Sequence, residues 1–240
     1  MRYTFIVVKH FLFTLSLVPT IALSVVAGGC SSSEDGGSSG SGGGDGEVRY
    51  LAMGDSLTEG AGASDPSKSW VALLAAKWNA AGCDVKLTNV GVSSYATADV
   101  IRDEVPKIAP AKPTIITLQV GGNDVVMGVD ADTYRKNLKS ILASAKSSGA
   151  RLVVMPQNEW FRSPTLKSYG TDLDVRRAQF DTILIEEVKT AGGELIDLRP
   201  MFKKHADANM WASDGIHPTD PAYAEWANEI AKVIPKACAQ

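Results

Sequence analysis

Histidine is scarce in this chain: three occur in 240 residues, at positions 10, 205 and 217. Dinuclear metal centres generally recruit several imidazoles, so this supply argues against a metal-dependent phosphoesterase. Cysteine is equally sparse. Cys30, Cys83 and Cys238 do not have the paired spacing of a zinc site. No metal and no cofactor is expected. A basic stripe is also missing from both halves, and the formal charge is −3, so nucleic-acid binding has no electrostatic footprint. No internal repeat is evident.

Apolar residues are absent from 31–46, which hold only Ser, Gly, Asp and Glu. Such a segment has nothing to bury and stays solvated. As a tether it lets a domain range over roughly 20–25 Å. Before it, Arg2, Lys9 and His10 precede an apolar stretch from Phe11 to Ala27 that ends at Ala27-Gly28-Gly29-Cys30. This resembles a bacterial lipoprotein signal, although Ala27 stands where leucine is usual. The resemblance implies that Cys30 becomes the lipidated first residue, anchoring an exported protein to the cell envelope. A plain secretory signal or an uncleaved anchor are the other readings, and Pro19 with the modest apolar length weighs against a full span. Without residues 1–29, 22 basic residues face 27 acidic ones and the formal charge becomes −5. The expected organisation is a signal segment at 1–29, a tether at 30–46 and a domain at 47–240. Cys83 and Cys238 could pair in an exported protein or remain separate buried thiols.

With 45% hydrophobic residues, the domain can bury one good core. Strand candidates are Val48–Met53, Val85–Val90, Ile115–Val120, Leu152–Met155 and Leu195–Leu198, short runs rich in β-branched and aliphatic residues. Between them, Trp70, Val71, Leu73, Leu74 and Trp78 recur at helical spacing, which reads as a core-facing stripe. Tyr134–Ser147 and Val175–Thr190 read as helices stopped by Gly149 and Gly192-Gly193. Asp220 as N-cap, with Pro221 at the first helical position, starts a last helix through Ile234. Five alternations imply a parallel sheet covered on both faces, a three-layer α/β/α sandwich. Sites in such sheets collect at the carboxyl ends of strands.

The candidate chemistry lies there. Ser56 follows the first strand in Gly54-Asp55-Ser56-Leu57-Thr58, within a glycine-punctuated loop. Asn89-Val90-Gly91 and Gly121-Gly122-Asn123-Asp124 end the second and third strands, and Asp214-Gly215-Ile216-His217 precedes the last helix. A serine, a base and a carboxylate are the parts of an activated oxygen nucleophile. Backbone N–H groups and an amide side chain, at Ser56, Gly91 and Asn123, could stabilise an oxyanion. Taken singly, these are ordinary turn residues.

Together the four blocks resemble the SGNH hydrolases, the GDSL esterase and lipase superfamily: GDSLTEG at Ser56, NVG at Gly91, GGND at Asn123 and DGIHP at Asp214 and His217. The resemblance implies a flavodoxin-like fold. It also implies Ser56 as nucleophile, His217 as general base and then acid, and Asp214 as the group orienting the imidazole. Gly91 and Asn123 would complete an oxyanion hole with Ser56. Family members often carry Ser-Gly soon after the second-block glycine, where this chain has Ser93-Ser94. That difference bears on loop conformation.

His205, among Lys203 and Lys204, is the rival base and reads as a surface residue whose cationic neighbours disfavour imidazolium. Asp55 and Asp124 are expected to brace loops through backbone N–H groups. The aperiodic stretch 157–170 carries Trp160, Phe161 and Tyr169, of which Trp160 and Phe161 are the substrate-contact candidates. The expected activity is metal-independent hydrolysis of carboxylic or thioesters on small-molecule, glycan or lipid substrates by a monomer. An α/β-hydrolase elbow does not fit, because Thr58 occupies its second-glycine position and the serine follows the first strand. A catalytically silent lipoprotein that binds glycan or lipid is the non-enzymatic alternative.

Overall fold

The computed structural model describes residues 46–169 and 172–238. The expected signal segment, Cys30 and nearly all of the expected tether lie outside the described residues. Five strands, β1 (Glu47–Gly54), β2 (Asp84–Asn89), β3 (Ile115–Gln119), β4 (Arg151–Val154) and β5 (Glu194–Leu195), form one sheet in the order 2-1-3-4-5. Every neighbouring pair is parallel, and this is the flavodoxin-like order. β1 is buried on both faces. Val48, Tyr50 and Ala52 enter one apolar cluster and Leu51 and Met53 the other, as alternation across a covered strand requires.

On the first face lie α2 (Trp70–Ala80), α8 (Arg199–Asp207) and α9 (Asp220–Val233). Trp70 and Trp78 are fully buried there, and Trp70 stacks on Trp226 of α9 at 5.2 Å. Each such aromatic buries on the order of 150–250 Å². Ser69 caps α2 through the Ala72 N–H, a contact worth ~1 kcal/mol. The other face is covered by α6 (Ala131–Ser147), α7 (Asp172–Ala191) and a winding helical stretch from residue 97 to 111. A disulfide joins Cys83 to Cys238, closing the choice left open by spacing alone.

Several boundaries differ from the expectations, each for a local reason. The fifth strand pairs over two residues, not four. Asp197 turns the chain by accepting the Arg199 N–H, and Pro200 then opens α8. The N-cap of α9 is Thr219, and Asp220 is already helical. The Asp220 carboxylate accepts the Ser64 N–H across the domain, at 2.8 Å. Residues 97–111 carry no regular period because they change pitch. One turn of α3 (Thr97–Asp99) leads into a π-helical turn (Val100–Glu104), a 3₁₀ turn (Val105–Lys107) and α4 (Ile108–Ala111). Pro106 and Pro110 deprive an ordinary α-helix of backbone donors.

Candidate active site

β1 delivers Ser56 to the carboxyl edge of the sheet. Gly54 passes so close to β3 that a Cβ would lie 2.1 Å from the Gln119 carbonyl oxygen, and its φ is +146°, a region favouring glycine. The chain then turns at once into α1 (Ser56–Glu59), with Asp55 as N-cap accepting the Leu57 N–H at 3.0 Å. Ser56 is thus the first helical residue, where N–H groups lack an intrahelical acceptor. The Trp70 indole donates to the Leu57 carbonyl and the Tyr223 hydroxyl to that of Ala61, so the aromatic core holds this loop in place.

The loop before α9 arrives opposite. Asp214 Oδ1 accepts the N–H groups of both Ile216 and His217, at 2.9 and 3.0 Å, which winds the loop into a tight turn. Gly62 makes room for it, since a Cβ there would sit 2.6 Å from His217 Cβ. The imidazole then bridges two partners. Its Nδ1 lies 2.7 Å from Asp214 Oδ2 and its Nε2 lies 2.9 Å from Ser56 Oγ. With a carboxylate at Nδ1, the neutral ring keeps its proton there, and Nε2 accepts from the serine hydroxyl. Burial pushes the Asp214 carboxyl up, but the two backbone donors and the imidazole hold it below the usual carboxylate range. It therefore stays ionised at neutral pH. Such a chain lets a serine pass its proton to the ring as its oxygen attacks a carbonyl carbon.

Asn123 is the second residue of α5 (Gly122–Met127), a helix starting immediately after β3 where a loop was expected. One of its amide protons is given to the Tyr95 carbonyl at 2.9 Å, leaving the other for the cleft. Gly91 packs on Thr58 and does not line the cleft, and its N–H donates to Asn89 Oδ1 at 3.1 Å. Ser94 does line the cleft and has φ +69°. A serine here thus adopts a left-handed conformation that glycine accepts more readily.

Ser56, His217, Asn123 and Trp160 line one cleft of about 230 Å³. Phe161 does not. It packs edge-on against Trp160 and lies under the Arg177 guanidinium at 4.8 Å. Gln157, Val126, Leu166 and Ile216 also line the cleft. A glutamine just past a strand end carried a signal of its own, whereas the three aliphatic residues carried none. His205, expected at the surface, is 7% exposed and pairs with Glu225 at 2.9 Å between α8 and α9. Among the described residues no three His, Cys, Asp or Glu side chains converge as a metal site.

Behind the cleft, carboxyls act as braces. Asp124 accepts the Thr97 N–H and hydroxyl, and burial raises it despite those bonds. Asp55 is pushed up to about 7, chiefly by burial against the Leu57 N–H bond, with Asp124 adding to the rise. Glu104 escaped notice in the sequence. Its side chain is fully buried and accepts the Gly54 N–H at 2.9 Å, and burial takes it to about 8.

Comparison with known proteins identifies the family. Residues 52–225 match the model of the GDSL-like lipase/acylhydrolase family. Esterase TesA of Pseudomonas aeruginosa is 30% identical over 174 residues, covering 70% of this chain and 78% of TesA. An arylesterase of Vibrio mimicus is 27% identical over 191 residues, covering 78% of this chain and 88% of the relative. A crystal structure of TesA superposes with a TM-score of 0.65 at 24% identity, over 77% of this chain and 97% of that one. This chain belongs to the GDSL-like lipase/acylhydrolase family of the SGNH hydrolase superfamily, and it is an esterase-type acylhydrolase.

Proposed function

We propose that this esterase cleaves carboxylic esters or thioesters without a metal ion, through an acyl-enzyme on Ser56. The observation carrying the reading is the unbroken chain Ser56 Oγ, His217 Nε2, His217 Nδ1 and Asp214 Oδ2. As Oγ bonds to the carbonyl carbon, its proton passes to Nε2 and the carbonyl electron pair moves onto oxygen. Collapse of that tetrahedral species expels the alkoxide or thiolate, which takes the proton from His217. Water then attacks the acyl-serine by the same steps, releasing the acid and restoring the hydroxyl. Asp214 holds the ring and stabilises the imidazolium. The Ser56 N–H and the free amide proton of Asn123 face the oxyanion. Gly91, expected as a third donor, lies off the cleft with its N–H on Asn89 Oδ1, so this reading assigns the oxyanion to the Ser56 and Asn123 donors.

A fluorophosphonate probe tests this directly. Stoichiometric labelling at Ser56, located by mass spectrometry, is the expected result. No adduct on a folded protein overturns it and favours the silent binder. Activity that EDTA abolishes and added metal restores would instead favour a phosphoesterase-type metal mechanism.

The domain is further proposed to act as a monomer at the bacterial cell envelope, tethered through residues 30–46 to a lipid on Cys30. Support comes from the Ala27-Gly28-Gly29-Cys30 sequence and the apolar-free stretch after it. Among the described residues no helix is long and apolar enough to cross a membrane. Incorporation of a clickable fatty acid into the full chain, lost in Cys30→Ala together with membrane fractionation, is the expected outcome.

A further inference from the structure

One wall of the cleft is polar, buried and unpaired. Gln157 is 2% exposed and Trp160 is 5% exposed. Gln157 Oε1, Gln157 Nε2 and Trp160 Nε1 nevertheless have no hydrogen-bond partner among the described residues. Buried polar atoms of folded proteins are paired in the great majority of cases, because an unpaired one carries its full desolvation penalty. Here three such atoms belong to two side chains that line the same cleft as Ser56 and His217.

The two side chains converge. A Cβ on Gly122 would lie 2.8 Å from Gln157 Oε1 and 3.1 Å from Trp160 Nε1, so only glycine leaves this approach open. They are also held from behind. The Gln157 N–H donates to Asp181, which pairs with Arg177 at 2.6 Å; Arg177 covers Phe161, and Phe161 abuts the Trp160 ring. An amide and an indole set on such a buttress need no substrate to position them, which is how a recognition site gains affinity.

The available groups define the chemistry. The wall offers donors at Nε1 and Nε2 and an acceptor at Oε1. Among the described residues no Lys or Arg lines the cleft, so a carboxylate or phosphate would find no fixed cationic side chain there. A plain alkyl chain would leave the three polar atoms unpaired. A neutral hydroxyl both donates and accepts, and it satisfies the wall.

We propose that Gln157 and Trp160 form a hydroxyl-recognition subsite that selects esters carrying a hydroxyl group close to the scissile bond. The proposal rests on the reading of Ser56 as nucleophile. It goes beyond that reading by naming the substrate class as hydroxylated esters, in preference to simple alkyl ones.

The test compares kcat/KM for ethyl butyrate, 2-hydroxyethyl butyrate and ethyl 3-hydroxybutyrate in wild type, Gln157→Leu and Trp160→Phe. The last variant keeps an aromatic ring while deleting the N–H. Wild type is expected to favour one hydroxylated ester by roughly tenfold or more, and which one tells whether the subsite reads the alcohol or the acyl side. Each variant should lose most of that preference and still be labelled at Ser56 by the fluorophosphonate. Equal rates on all three esters in wild type overturn the subsite alone, as does a preference that survives Trp160→Phe. Absence of both hydrolysis and labelling in wild type overturns the serine reading, and the subsite with it.

Discussion

His205 and His217 each lie against a carboxylate, at 2.9 Å from Glu225 and 2.7 Å from Asp214. The first pair sits between α8 and α9, with His205 buried beside the aromatic cluster of Phe202 and Trp226. The second occupies a loop at the carboxyl edge of the sheet, where the ring nitrogen left over meets a serine hydroxyl at 2.9 Å. An imidazole–carboxylate pair is therefore not itself a site. Its second nitrogen must face a nucleophile in an open cleft.

The largest effect separates the two regions outright. His217→Ala or Ser56→Ala should lower kcat by roughly 10⁶-fold, whereas His205→Gln should leave kcat within about twofold and lower the melting temperature instead. Steady-state kinetics beside thermal denaturation would expose an error, and a large kcat loss in His205→Gln would break the comparison. Next is the carboxylate. Asp214→Asn should cost about 10⁴-fold in kcat through the wrong ring tautomer, while Glu225→Gln changes activity little under the same assay. Asn123→Ala should cost about 10²–10³-fold in kcat. A loss below tenfold would remove this amide from the oxyanion role.

The smallest effect concerns the brace behind Ser56. Glu104 faces Asp55, Asp103 and Lys107, and burial lifts its carboxyl from an ordinary 4.5 to about 8. The neutral form is thus favoured on folding. Its contribution is complete below about pH 4.5 and is lost as pH rises toward 8. Glu104→Gln keeps an oxygen for the Gly54 N–H without titrating. It should match the wild-type melting temperature at pH 4.5 and exceed it by a few degrees at pH 8. Melting curves that stay parallel across this range would show that the carboxyl does not titrate on unfolding.

Legibility followed the range of each interaction. The alternation of β1 and the tryptophan stripe of α2 were readable because burial of one face repeats at a fixed interval. Ser56, Asp214 and His217 were readable as short blocks at element ends. The winding segment at residues 97–111 was opaque because its turns change pitch within a few residues. Glu104 was opaque because its partner, Gly54, lies 50 positions away. Phe161 and Trp160 are adjacent in sequence and looked equivalent, yet only Trp160 reaches the cleft. Neighbours along a chain leave the backbone in different directions, and here Phe161 packs under the Arg177 guanidinium.

What the amino-acid sequence determined by itself was local: element type from periodicity, turns from glycine and proline, and the short supply of imidazole. Tertiary structure alone decided the meeting of Ser56 with His217 across 161 positions, the pairing of Cys83 with Cys238 and the burial of His205. It also decided the unpaired amide and indole of two residues that line the cleft. The physical reason is that hydrogen bonds form over about 3 Å, and only the packing of helices on a twisted sheet brings such distant residues that close.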